Sequence, residues 1–263
     1  MNTFFRTVVG AALAACFLVA IWFGGITFAA AIAIVALTAQ WEFYGLGRMV
    51  GQRPYRLTGM AATAALLAWT CFFGLDALAL VVVLASVFAI LGIHPFLAGA
   101  EGRDWRDAAL SVTGYLYIAL PAAVGIAIRN ERGLPETLFL FACIWAFDIM
   151  AFFTGKLLGR HRIFSRISPS KTWEGFAGGL VFAVGVGLAL NLLLGWPWLK
   201  AGVIAGIIAL VGHLGDFFES AIKRDAGAKD SSGLLPGHGG VLDRIDALLF
   251  AGPTFYLLLL IWK

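Results

Sequence analysis

Apolar runs of roughly 15 to 22 residues recur from one end of this chain to the other, and no other feature constrains the fold as strongly. Folded as a helix rising 1.5 Å per residue, a run of this length matches the hydrocarbon thickness of a bilayer. Nine such segments can be drawn, at about 7–23, 26–40, 58–74, 77–93, 108–128, 135–154, 174–195, 201–219 and 247–262. The expected fold is therefore all-α: a polytopic integral membrane protein of about nine transmembrane helices, with residues 1–263 forming a single membrane domain. The first two runs are short and parted only by Gly24-Gly25, so they can form one long tilted helix or two. Composition agrees, with 61% of residues hydrophobic and 13% charged, against about a quarter charged in an ordinary soluble domain. The short alternating segments that would build a membrane barrel are not found in the sequence.

Cys16, Cys71 and Cys143 all fall inside apolar runs without paired spacing, which reads as small buried hydrophobes rather than a disulfide or a metal site. Leu13-Ala14-Ala15-Cys16 has the form of a lipoprotein cleavage box, but the apolar run continues past it to about Thr38, as a membrane hairpin would. Lysine and arginine placement sets the orientation. With nine spans and the N-terminus inside, the cytoplasmic side receives Arg6, Arg48, Arg53, Arg56, Arg103, Arg106, Lys156, Arg160, Arg162, Arg166, Lys171, Lys223, Arg224, Lys229 and Arg244. These are 15 of the 19 basic residues; Arg129, Arg132, Lys200 and Lys263 face outward. Two spans separate the 155–173 loop from the 216–246 segment, so both lie on the cytoplasmic side whether the first two runs are one helix or two. A net charge of +4 suits an inner face that meets anionic lipid, and no nucleic-acid-binding motif is present. The expected location is a bacterial inner (plasma) membrane.

Charge is concentrated late in the chain. From Asp216 to Asp246, ten of 31 residues are charged, whereas the whole chain has only 34 charges. So much charge beside a membrane implies a polar, anionic substrate held there. Asp216, Ser220 and Lys223 recur at i, i+4 and i+7 and share a face at the end of the eighth span, with Glu219 beside them. Asp243 and Asp246, at i and i+3, project together from the start of the last span. Carboxylates from two helices are a usual means of holding Mg²⁺ next to phosphate; the other reading is that they pair with Arg224, Lys229 and Arg244. Between them, Leu235-Pro236-Gly237-His238-Gly239-Gly240 forms a turn able to aim backbone N–H groups at an anion. His238 either donates to a phosphate oxygen or braces the turn.

A second polar group lies upstream: Asp148, well inside the sixth span, then Lys156, Arg160 and Ser168-Pro169-Ser170-Lys171-Thr172-Trp173-Glu174-Gly175. Lys171 and Arg160 either meet a phosphate or only signal topology. Glu42, Asp76, His94 and His161 stand alone and read as loop residues or interface anchors. Most of the nine tryptophans read as interfacial anchors; Trp173 is set apart by its place in the Lys-Thr-Trp-Glu block.

In residue type and spacing, Ser220, Lys223-Arg224, Lys229-Asp230, His238-Gly239-Gly240 and Asp243-Arg244-Ile245-Asp246 resemble the signature of the phosphatidate cytidylyltransferases. The Ser168–Gly175 block is similar to a second block of that family, with Ser170 where the family commonly has Lys. The resemblance implies synthesis of CDP-diacylglycerol and pyrophosphate from CTP and phosphatidic acid at the cytoplasmic face. It implies Mg²⁺ (one or two ions, with or without a monovalent cation), with Asp216 and Asp243 as principal ligands and Asp246 in support. Lys223, Arg224, Lys229, Asp230 and Arg244 would complete the catalytic set. Ser220, Gly237, His238, Gly239, Gly240, Lys171, Asp148 and Glu174 would bind substrate, and a homodimer is a family expectation. The runner-up is a CTP-dependent polyprenol or lipid kinase. An anion transporter fits less well, because the charges gather at one face rather than at the midplane. The Asp-Gly-x-x-Ala-Arg pattern of CDP-alcohol phosphatidyltransferases is absent from the sequence.

Overall fold

In lipid, a helix satisfies its own backbone polar groups, and apolar runs without strand-like alternation leave few alternatives. The computed structural model describes residues 14–97, 103–164, 167–235, 237 and 239–262. Its helices are α1 (Ala14–Phe23), α2 (Gly25–Met49), α3 (Arg56–Phe73), α4 (Ala77–Leu97), α5 (Trp105–Arg132), α6 (Leu134–Leu158), α7 (Trp173–Leu194), α8 (Trp198–Asp225) and α9 (Leu242–Ile261). The eight from α2 to α9 are long and apolar enough to cross a membrane, while α1 is shorter. The first half of the expected 7–23 span lies outside the described residues. Among the described residues there are no strands, only the isolated bridges Arg162–Thr172 and Leu235–Gly239. The protein is an all-α integral membrane protein.

The first two apolar runs form two helices. Gly24, at φ 65°, breaks them apart. Arg129 on α5 donates from Nε to Ile21 O at 2.7 Å and from Nη2 to Trp22 O at 3.1 Å, taking up carbonyls left open at the end of α1. A Cβ on residue 24 would come within 2.6 Å of that guanidinium. Elsewhere the helices overrun the apolar runs: α2 continues past Ala39 to Met49, and α8 past Glu219 to Asp225. Polar side chains end a hydropathy run, but they do not end a helix that supplies them with partners.

By packing, the chain parts into two compact units, Met1–Glu131 with Asp225–Arg244, and Arg132–Arg224 with Ile245–Lys263. In the first, α2, α3 and α5 share a buried polar ladder. Thr63 Oγ1 donates to Gln40 Oε1 at 2.7 Å, Gln40 Nε2 to Tyr44 Oη at 2.9 Å, and Tyr44 Oη to Ser111 O at 2.8 Å. Asp76, which reads as isolated in sequence, caps α4 by accepting from Ala79 N at 2.8 Å and also accepts from Trp69 Nε1 at 3.1 Å. These bonds hold its carboxyl below the usual carboxylate range.

In the second unit, glycines let helix backbones approach closely. A Cβ on Gly178 would lie 2.4 Å from Thr154 Oγ1, and one on Gly179 would lie 2.8 Å from Phe147 O, so α7 seats directly on α6. Gly187 does the same against Ala205 at 2.6 Å, whereas Gly185 meets nothing within 4 Å. Gly215 on α8 faces the backbone of α9, where its Cβ would lie 2.6 Å from Asp246 O. That approach sets the neighbouring Asp216 beside the start of the last span.

Candidate active site

In the second unit the chain between α6 and α7 folds back on itself. Ile163 N donates to Lys171 O and Trp173 N to His161 O, both at 2.9 Å. Glu174 closes the base of this turn. Its Oε2 accepts from Arg160 N at 3.0 Å and His161 N at 3.2 Å, and its Oε1 sits 2.6 Å from His161 Nδ1. Glu174, expected to touch substrate, is thus engaged in bracing its own loop, and His161 is its partner rather than an isolated residue. Thr172 caps α7 through Gly175 N at 3.1 Å.

The turn presents Lys171, whose Nζ lies 2.6 Å from Asp216 Oδ2 on α8 and 4.0 Å from the centre of the Phe217 ring. Residues 45 positions apart in sequence, from the two polar blocks, therefore meet. Ser220 Oγ donates to Asp216 Oδ1 at 3.3 Å, as the i, i+4 spacing predicts. Lys223, one turn further along the helix, forms a buried ion pair with Glu219. Arg224 Nε donates to Ile167 O at 3.3 Å, a second tie from α8 to the 160s turn. Asp148 lies on an exposed face of α6. Asp246, on α9, is within electrostatic reach of Asp216, Glu219 and Asp148.

In the first unit the Gly-rich turn is gripped by two carboxylates. Asp243 Oδ2 accepts from Gly240 N at 2.6 Å, Ser231 N at 3.0 Å and Ser231 Oγ at 3.0 Å. Glu42 on α2 reaches the same loop: Oε1 accepts from Ser232 Oγ at 2.5 Å and Val241 N at 3.0 Å, and Oε2 from Ser231 Oγ at 3.1 Å and Leu242 N at 2.7 Å. The backbone N–H groups of residues 240 to 242 are therefore directed at protein carboxylates. No side chain fits at Gly240, where a Cβ would lie 1.9 Å from Ser231 Oγ and 2.6 Å from Glu42 Oε2. Gly237 and Gly239, both at φ 77°, form the rim of the turn, which Leu235 N closes by donating to Gly239 O at 3.0 Å. Lys229, Asp230 and Arg244 are exposed around it. His238 lies outside the described residues.

Glu42 reads in the sequence as an isolated loop residue or interface anchor, because nothing near it in the chain identifies its partners; the structure corrects this and places them in the 231–242 loop. Its one local signal is a carboxylate set among Trp41, Phe43 and Tyr44 at the end of an apolar run, a costly position unless the charge is satisfied. It is only 4% exposed, and its four donors satisfy it.

Among the described residues, no three His, Cys, Asp or Glu side chains converge as a ready set of metal ligands. The donor chemistry nevertheless suits a hard cation. Asp148, Asp216, Glu219 and Asp246 are electrostatic neighbours, with Lys171 on Asp216 and Lys223 on Glu219. In the other unit Glu42 and Asp243 both approach Ser231 Oγ, a hydroxyl with a single proton to give. Oxygen-rich, anionic surroundings of this kind are what Mg²⁺ selects.

The family model described as cytidylyltransferase matches residues 4–262. The chain is 34% identical over 247 residues to a phosphatidate cytidylyltransferase of Brucella abortus, covering 90% of this chain and 85% of the relative. It is 36% identical over 278 residues to the phosphatidate cytidylyltransferase of a Synechocystis species, covering 95% and 92%. With the same-named protein of Bacillus subtilis it shares 37% identity over 183 residues, 68% of each chain. A match that runs almost from end to end, through both polar blocks, has one reading: the chain belongs to the cytidylyltransferase family and is a nucleotidyltransferase.

Proposed function

We propose that this protein is a phosphatidate cytidylyltransferase, joining CTP and phosphatidic acid into CDP-diacylglycerol with release of pyrophosphate. The structural observation that carries the reading is the Lys171–Asp216 pair, which brings the two polar blocks of the family together in an otherwise apolar chain. The names of the relatives support the same substrates. A phosphate monoester is already anionic at neutral pH, so no protein nucleophile is needed. A lipid phosphate oxygen bonds to the α-phosphorus of CTP while the bond to the β-phosphate oxygen breaks, and pyrophosphate leaves.

What the protein contributes is position and charge. Lys171 holds Asp216 in place and is one exchange of partners away from a substrate phosphate. The Glu42–Asp243 clamp fixes the Gly239-Gly240 turn, leaving Lys229 and Arg244 at its rim to meet the triphosphate. Asp216 and Asp243 would be the principal residues holding Mg²⁺, with Asp246 in support, as the family resemblance implies. When bound, the ion would neutralise charge on the triphosphate and on the departing pyrophosphate. The reaction is placed at the cytoplasmic face of a bacterial plasma membrane, in keeping with the distribution of basic residues.

The test is the purified protein with phosphatidic acid, Mg²⁺ and CTP labelled at the α-phosphate. The expected products are a labelled lipid and unlabelled pyrophosphate in equal amounts. Free labelled CDP together with a phosphorylated lipid would identify a CTP-dependent kinase instead and overturn the assignment.

A further inference from the structure

Where α2 ends and α3 begins, Arg48, Arg53, Tyr55, Arg56, Thr58 and Arg103 line a cavity of about 790 Å³. None of these residues belongs to the signature or to the Ser168–Gly175 block. Positive-inside reasoning accounts for the arginines as topology signals, but it does not account for their arrangement. Arg56 is the first residue of α3, a helix with no acidic residue in its first turn and no side-chain cap. A cation therefore stands at the positive end of the helix dipole. Arg48, in the last turn of α2, is close enough to Arg56 for the two charges to repel.

Two of the guanidiniums are fixed in advance. Arg56 lies 4.2 Å over the Trp41 ring, and its Nε is buried with no hydrogen-bond partner. Arg103 lies 5.2 Å over the Tyr55 ring, and its Nη1 donates to Arg53 O at 2.7 Å. Asp107 accepts from Arg53 N at 2.5 Å and Asp104 N at 3.2 Å; Asp104 caps α5 through Arg106 N at 2.7 Å and touches the Arg106 side chain at 4.0 Å. Glu101 lies outside the described residues.

We propose that this cavity binds a phosphate-bearing anion, and that its source is the headgroup of an anionic lipid. Planar guanidiniums held against aromatic faces match phosphate oxygens in pairs and lose little freedom on binding. The volume is that of a small-molecule site. Its place at the ends of two spans, beside an interfacial tryptophan, is headgroup depth, where basic pockets between helices take phosphate headgroups.

The experiment reads lipid retention rather than turnover, so its failure leaves the proposed activity untouched. The full chain is placed in phosphatidylcholine nanodiscs doped with phosphatidylglycerol, and bound lipid is counted by native mass spectrometry. Wild type should retain one phosphatidylglycerol in preference to phosphatidylcholine. Each arginine lost weakens such binding about fivefold, so the double variant Arg48→Gln, Arg103→Gln should lose roughly 25-fold. The double variant Arg48→Lys, Arg103→Lys keeps charge and guards against misfolding; it should bind more weakly than wild type because the planar fork is gone. Arg160→Gln with Arg162→Gln should change nothing. Full retention by the Lys pair, or equal loss from the Arg160 and Arg162 control, would reduce the cavity to general surface charge and overturn the proposal. A parallel titration with millimolar inorganic phosphate separates the sources. Displacement of the lipid by phosphate overturns the lipid assignment in favour of a soluble anion, and no displacement supports it.

Discussion

Glu42 accepts a hydrogen bond from the backbone amide of Leu242 at 2.7 Å, across a separation of 200 residues. A carboxylate from α2 thus sits on the first amides of α9, where the helix dipole favours negative charge. Through Ser231 it also shares a donor with Asp243, so one buried side chain sets the shape of the signature loop.

Replacing Glu42 should loosen that loop without removing any group that meets substrate. Glu42→Gln leaves one oxygen to accept where two do now and turns an NH₂ toward a backbone N–H. A cost of about 1–3 kcal/mol is expected. It should appear as a lower unfolding midpoint in detergent and as faster hydrogen exchange at residues 240 to 242. Unchanged exchange there would show that the clamp is not what holds the turn.

Asp243 can be tested for bracing and charge separately. Gly240 N and Ser231 Oγ bond to Oδ2, and Ser231 N bonds to Oδ2 at 3.0 Å and to Oδ1 at 3.3 Å, so Asp243→Asn with its carbonyl at the Oδ2 position keeps the shorter bonds of the brace while losing the charge. Asp243→Asn should therefore fold and melt near wild type but lose nearly all turnover, whereas Asp243→Ala should lose stability as well. An active Asn variant would remove Asp243 from the metal-binding role proposed for it.

Lys171→Ala should lower kcat/KM about 10- to 150-fold, the loss of one charge-assisted contact of about 1.5–3 kcal/mol. Lys171→Arg should recover only part, since a planar fork does not replace the compact ammonium that meets both Asp216 and the Phe217 ring. Wild-type kinetics in the Ala variant would leave Lys171 as a topology signal alone.

Sidedness can be checked in a cysteine-free background, because Cys16 is exposed. Single cysteines at Ser168 and Gly233 should react with an impermeant maleimide only from the cytoplasmic side, as read by mass shift in oriented vesicles. Reaction of the two from opposite sides would rule out a common face for the two polar blocks.

Local chemistry made much of this protein legible before any tertiary structure. Hydropathy is a property of contiguous residues, so the membrane spans, the all-α class and the charged Asp216–Asp246 segment could be read directly. The i, i+4 contact of Ser220 with Asp216 followed from helix geometry alone. The ends of α2 and α8 did not, because Gln40, Glu42 and Lys223 look like exits from the membrane until their buried partners are known. Only packing decided that Lys171 lies on Asp216, that Glu174 braces its own turn, and that Glu42 belongs to a loop near the other end of the chain. A carboxylate carries no record in sequence of which distant amide will face it. That choice is made when close-packed helices, seated on one another at residues such as Gly178 and Gly215, fix which backbones come within hydrogen-bonding reach.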